Sequence, residues 1–146
     1  MPELSEALLS SYRNAIYRVA APAGNVDLKV GVRSSELSAL LEKHGARSAA
    51  FITACNPRSE PRTSTCNTRA NRALRQAITA LGLRTLTGVG FDQQGAWPGE
   101  ESLLVLNISQ DAALALGRKF QQHAVIWIGA DARPGLLLCG EDADVR

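Results

Sequence analysis

The chain has 146 residues, of which 45% are apolar and 21% are charged, and its formal net charge is +2. This length and composition are typical of one globular domain with a sizeable core. So small a net charge supplies no strong field for nucleic acid or an anionic membrane, and each apolar run is too short to span a bilayer. No basic residue precedes Arg13, so no secretory signal is expected. We therefore expect a cytoplasmic protein without a membrane or nucleic-acid partner.

The chain contains three cysteines, which are Cys55, Cys66 and Cys139, and two histidines. An odd number of cysteines without CxxC spacing argues against a disulfide framework or a structural zinc site. We expect reduced thiols and no metal ion, with a redox-sensitive pair of Cys55 and Cys66 as the alternative. Neither GxGxxG nor GxxxxGK[ST] occurs, so no cofactor is predicted.

Hydrophobic spacing predicts eleven elements in the order α-β-β-α-β-α-β-β-α-β-β. Apolar residues recur at helical spacing in four segments, which are residues 4–14, 36–44, 65–81 and 111–120. Short apolar or alternating runs bounded by turn residues mark seven strands, which are residues 16–20, 27–32, 48–55, 83–89, 102–108, 124–128 and 136–139.

Hairpins and helical crossovers both occur in this order. We therefore expect an α/β (α+β) fold with a mixed sheet of about seven strands and helices packed on its faces. The strand at residues 48–55 is apolar on both faces and should be central. Residues 1–146 are expected to form a single domain with a frayed tail at 141–146. The candidate helix N-caps are Ser34 or Ser35, Ser64 or Thr65, and Ser109.

A polar segment at residues 56–64 separates the most apolar strand from the longest helix. Ser64 can cap that helix, whose first backbone N–H groups are free to bind an anion. Arg58 and Arg62 add positive charge, so we predict that a phosphate or carboxylate binds here. The simpler alternative is that Ser64 is only a cap and that the arginines form a solvated surface.

Asn67 lies on the inward face of the same helix, because it precedes Ala70 and Leu74 by three and seven residues. In the first turn of the helix, this position directs the amide toward the end of the preceding strand, where Asn56 follows. Two interpretations stay open. The amide orients a ligand, or it ties the loop to the helix.

Glu100 and Glu101 precede a buried strand, and consecutive strand residues point to opposite faces, so one carboxylate can aim inward. An inward carboxylate near arginines is an ion-pair partner, a general base or a metal ligand. The alternative is a solvated start of the strand. Gln122 follows a helix C-terminus, where its amide can satisfy backbone groups or orient a ligand.

Four segments carry a family likeness: YRVAAP, FITACNPRSEPRTSTCN, WPGEESLLVLNIS and LGRKFQQHAVIW. Together they resemble the bacterial proteins grouped as domain of unknown function 3293. The family pattern has an acidic residue where Cys66 stands, glycine at Gln121 and asparagine at His123. The resemblance supports the fold and the position of the site but implies no reaction. If the acidic residue were catalytic, Cys66 would argue against catalysis in this member.

These observations favour a site for a small anionic ligand, either a nucleotide or another phosphorylated metabolite. The predicted site residues are Asn56, Arg58, Arg62, Ser64, Asn67, Glu100, Glu101 and Gln122. The alternative is a non-catalytic interaction module or homodimer, in which these side chains brace loops. A closed pocket with unpaired Asn67 and Glu101 would favour the ligand, whereas a flat surface with mutually bonded groups would favour the alternative. No motif specifies a reaction, so the question of enzymatic activity stays open.

Overall fold

The computed structural model of the chain describes residues 5–57, 60–94 and 99–140. Four helices lie within these residues: α1 (Glu6–Asn14), α2 (Ser35–Lys43), α3 (Ser64–Ala80) and α4 (Gln110–Lys119). Seven strands accompany them: β1 (Ile16–Ala21), β2 (Gly24–Leu28), β3 (Ala49–Ile52), β4 (Thr85–Phe91), β5 (Glu100–Leu106), β6 (Ala124–Ile128) and β7 (Gly135–Leu138). The elements follow the predicted order, and no helix among them has the length and apolar character to cross a membrane.

The seven strands form one sheet in the order β2-β1-β4-β5-β3-β6-β7. The predicted α/β fold with about seven strands is thereby confirmed. All six pairings are antiparallel, although the sequence favoured mixed strand directions. The reason is that α3 and α4 each connect parallel strands that are not neighbours. The strand that fills each gap, β5 or β3, runs in the opposite direction.

The helices cover the two faces of the sheet and bury a separate apolar layer on each. On one face, Leu37 and Leu41 of α2 pack with Phe51 and Leu104. On the other face, the buried side chains of α3 and α4 pack against the strand residues that point the opposite way, including Ile52 of β3 and Leu103 of β5. All four residues of β3 are buried, as expected of a strand that lies between β5 and β6.

Several strand boundaries shift by one or two residues from the sequence-based prediction, and the largest shifts are at β2 and β3. β2 begins at Gly24 rather than at residue 27, because the short loop at Pro22 returns the chain directly into the hairpin with β1. β3 ends at Ile52 rather than at residue 55, since the next backbone N–H groups bond to side chains instead of a neighbouring strand. The amide of Ala54 donates to Asn71 Oδ1 at 2.8 Å. The polar loop therefore starts three residues earlier than predicted.

The N-caps of α2 and α4 are Ser34 and Ser109, in agreement with the sequence. The N-cap of α3 is Thr63, whose hydroxyl accepts a hydrogen bond from the Cys66 amide at 3.1 Å. The prediction of Ser64 or Thr65 as this cap was wrong, because three hydroxyl residues in succession are equally good caps locally. The predicted frayed tail at 141–146 lies outside the described residues.

Candidate functional site

A cavity of about 520 Å³ lies on the α2 side of the sheet. Strands β1, β3, β6 and β7 contribute apolar side chains, which are Tyr17, Phe51, Ile126 and Leu136. Helix α1 lines another part of it with Leu8, Ser11 and Tyr12. The polar part is formed by the loop after β3, the start of α3 and the ends of β5 and α4, through Asn56, Arg62, Ser64, Asn67, Glu100 and Gln122. The cavity therefore joins an apolar region to a polar end.

Two glycines of β4 make room for the aromatic rings beside the cavity. A Cβ atom at Gly88 would lie 2.7 Å from Phe51 Cε2 and 2.6 Å from the Arg18 carbonyl oxygen. A Cβ at Gly90 would lie 3.4 Å from the ring of Tyr17. The rings of Tyr17 and Phe51 meet edge to face, with centroids 5.3 Å apart. The glycines thus allow both rings to lie over the sheet.

Tyr17 also fastens α1 to the sheet. Its hydroxyl donates a hydrogen bond to the Tyr12 carbonyl oxygen at 2.6 Å. Burial raises the pKa of Tyr17 far above its ordinary value, with smaller contributions from Tyr12 and Glu100. The phenol is therefore neutral at neutral pH and acts as a hydrogen-bond donor.

The loop after β3 is held against α3 by three asparagine side chains, Asn56, Asn67 and Asn71, which we call the amide cluster. Asn56 donates its backbone N–H to Asn67 Oδ1, and Asn67 Nδ2 returns a bond to Asn56 Oδ1, both at 2.9 Å. The Arg62 amide also donates to Asn56 Oδ1 at 2.9 Å. Asn56 itself has a φ of 47°, in the left-handed region that asparagine tolerates. These bonds tie the loop after β3 to the first turns of α3.

Asn71 is the residue of this cluster that the sequence reasoning missed. It is only 8% exposed. Its Oδ1 accepts from the Ala54 amide at 2.8 Å, and its Nδ2 donates to the Glu101 carbonyl oxygen and to Cys55 Sγ, each at 3.1 Å. The available signal was its spacing, since Asn71 is four residues after Asn67 and three before Leu74 on the inward stripe.

The two consecutive glutamates point to opposite faces of the sheet. Glu100 lines the cavity, and its Oε2 accepts a hydrogen bond from Asn56 Nδ2 at 2.9 Å. Burial raises the pKa of Glu100, and the bond from Asn56 opposes this in part. Glu101 is exposed on the α3 side. Its backbone carbonyl accepts from Thr53 Oγ1 at 2.7 Å as well as from Asn71.

The remaining predicted site residues occupy different positions around the polar end. Gln122 Nε2 donates to the backbone carbonyls of Cys55 and Phe120, at 3.1 and 3.2 Å. Arg62 is 43% exposed and lies 3.6 Å from the Glu60 carboxylate. Ser64 is the first residue of α3 and lines the cavity. Arg58 lies outside the described residues.

The three cysteines are free, so Cys55 and Cys66 do not form a disulfide. Cys55 is buried, and burial raises the pKa of its thiol, although hydrogen bonds from Thr53 and Asn71 act in the opposite direction. Among the described residues, no group of three or more His, Cys, Asp or Glu side chains is placed to hold a metal ion. Within the described part of the chain, the polar end combines three amides with the Arg62 guanidinium, the Ser64 hydroxyl and the Glu100 carboxylate.

Residues 52–125, just over half of the chain, match the model of a family described as protein of unknown function (DUF3293). The chain belongs to the DUF3293 family. The matched segment contains the loop after β3, all of α3 and both glutamates. No curated protein and no solved structure matches the chain.

The structure shows the local environments of Cys66 and Gln121, two residues that the resemblance singled out. Cys66 is exposed in the first turn of α3, three residues after the Thr63 cap, where an acidic side chain would complete a capping box. Gln121 follows α4 with a φ of 57°, in the region that favours glycine. Neither side chain lines the cavity. An acidic residue at position 66 would therefore act on helix capping and would not line the cavity.

Proposed function

We propose that this DUF3293 protein binds a small organic molecule in the cavity. The apolar or aromatic body of the ligand would lie against Tyr17 and Phe51. Its anionic group, a phosphate or carboxylate, would lie at the polar end beside Arg62. The observation that carries the proposal is the cavity itself, because its volume of about 520 Å³ is in the range of metabolite sites and it joins aromatic surface to convergent polar groups.

The polar end supports this proposal because its framework is held in place without a ligand. Asn56 and Asn67 satisfy one another, and Asn56 also receives the Arg62 amide. A site whose side chains are already ordered loses less conformational entropy when it binds. The Arg62 guanidinium has one weak ion pair, with an exposed carboxylate. It therefore remains able to form charge-assisted hydrogen bonds to an incoming anion.

The alternative function is a non-catalytic interaction module, of which the simplest form is a homodimer of this chain. The hydrogen bonds of Asn67 and the exposure of Glu101 favour this alternative, because both had been expected to be unpaired in a ligand site. Leu138 on the edge strand β7 is also 45% exposed. Mass measurement by light scattering over a range of protein concentrations tests the dimer directly.

The ligand proposal is tested by native purification followed by mass spectrometry of the small molecules that remain bound. We expect Gly90→Val to lose these molecules, because its branched side chain would project into the cavity beside Tyr17. The matched control is Thr87→Val, on the opposite face of the same strand β4, which should retain them.

Arg62→Gln provides a second variant whose effect does not depend on filling the cavity. Because Arg62 is half exposed, this variant should fold normally and lose anionic molecules selectively. The proposal would be overturned if folded Gly90→Val and Arg62→Gln retained the same molecules as the unaltered protein, or if the unaltered protein carried none and bound no aromatic anion.

A further inference from the structure

We propose that the ligand also carries a hydrogen-bond donor, in particular a protonated amine, and that the Glu100 carboxylate binds it. Together with the anion beside Arg62, this makes the preferred ligand a zwitterion with an apolar or aromatic body. The inference rests on the proposed function, since it assigns the charge pattern of the molecule that would occupy the same cavity.

The Glu100 carboxylate has an incomplete set of hydrogen-bond partners. Its Oε2 accepts one hydrogen bond, from Asn56 Nδ2, and within residues 5–57, 60–94 and 99–140 no donor is bonded to its Oε1. An ionised carboxylate has about four acceptor positions on its two oxygens. A carboxylate that is withdrawn from water is costly unless it is paired or fully hydrogen-bonded. A donor from the ligand would supply what Asn56 alone does not.

No cation among the described residues forms an ion pair with the Glu100 carboxylate. Arg62 pairs with Glu60 instead. The other titratable groups around Glu100 are the hydroxyls of Tyr12 and Tyr17 and the thiol of Cys55. The Tyr17 phenol and the Cys55 thiol are held neutral by burial. A positively charged group of the ligand would therefore give the carboxylate a partner that the described residues do not provide.

The Asn56 amide links the Glu100 carboxylate to the backbone of Arg62. Asn56 donates its Nδ2 to Glu100, and its Oδ1 accepts the backbone N–H of Arg62. Asn67 fixes the orientation of this amide by its own bond to Oδ1. One small molecule that carries both charges can therefore contact Glu100 and Arg62 in the same cavity. A purely anionic molecule would satisfy Arg62 and leave Glu100 without a new partner.

Four probes with the same phenethyl body separate these charges: 2-phenylethanol, 3-phenylpropanoate, 2-phenylethylamine and phenylalanine. Their affinities for the full chain are measured by two-dimensional NMR titration at millimolar concentration, with the shifts assigned to residues of the cavity. We expect phenylalanine to bind most tightly. We expect 2-phenylethylamine to bind about tenfold more tightly than 2-phenylethanol, as one charge-assisted hydrogen bond would allow.

Glu100→Gln should abolish the advantage in affinity that the two amines have over 2-phenylethanol. Glu101→Gln is the matched control, because it removes a neighbouring carboxylate that lies on the other face of the sheet. If 2-phenylethanol binds in the cavity but the amines gain nothing, or if Glu100→Gln keeps their advantage, the inference is wrong and the proposed function stands. If none of the four probes shifts residues of the cavity, both are wrong.

Discussion

The start of β5 presents two different environments on its two faces. On the α3 side, Asn71 accepts one hydrogen bond from a backbone amide and donates two. Both the oxygen and the nitrogen of its amide therefore have partners within the protein. On the cavity side, Glu100 accepts a single side-chain hydrogen bond. Richness in polar residues therefore does not by itself mark a binding site. A half-buried charged group that lines a cavity and has few partners, as Glu100 does, is the better indicator.

The largest change in stability is expected on the α3 side of β5. Asn71→Ala would leave the buried Ala54 amide without an acceptor, which costs about 1–3 kcal/mol in the free energy of unfolding. Urea denaturation followed by circular dichroism measures this loss. Gln76→Ala, on the exposed face of the same helix, is the control and should change stability little. Equal stabilities for the two variants would mean that the amide cluster does not brace the loop.

A smaller change in stability, of opposite sign, is expected on the cavity side of β5. The raised pKa of folded Glu100 means that the folded state binds its proton more tightly than the unfolded state does. The stability from this group is therefore full below its ordinary pKa of 4.5 and is lost as the pH rises through the raised folded value. Glu100→Gln has no such loss and can still accept the bond from Asn56. The variant should be more stable than the unaltered protein at neutral pH.

Thermal unfolding at about pH 4 and about pH 8 measures this difference, since these values bracket the titration of a carboxyl group with a raised pKa. The advantage of Glu100→Gln should grow from the lower pH to the higher one. Glu101→Gln, whose carboxyl group is exposed, should show no comparable trend. A pH-independent advantage, or none at all, would show that Glu100 is not desolvated in the cavity.

The smallest effect is expected at the start of α3. Cys66→Glu would place a carboxylate in the first turn, where it can reach back to the Thr63 amide and complete a capping box. The expected gain is about 0.3–1 kcal/mol in the free energy of unfolding, because the site is exposed. Urea denaturation measures it, with Cys66→Gln as the uncharged control. A change in probe affinity for the cavity would instead connect position 66 to ligand binding.

Local patterns were sufficient for the number, type and order of the elements, because apolar spacing reflects burial directly. They also identified the inward face of α3 through Asn67. They were insufficient for Asn71, since an asparagine on an apolar stripe shows no partner until the loop after β3 is placed against it. The cap of α3 was missed for a related reason. Thr63, Ser64 and Thr65 are equivalent candidates until the path of the preceding chain is known.

By itself, the sequence determined an α/β domain and a polar segment between its most apolar strand and its longest helix. Only the tertiary structure decided that the strands alternate in direction, because the helical crossovers skip a position that an opposing strand fills. It also decided that Glu100, and not Glu101, faces the cavity. That choice depends on the register of β5 against β3 and β4, and a shift of one residue would have exchanged the two side chains.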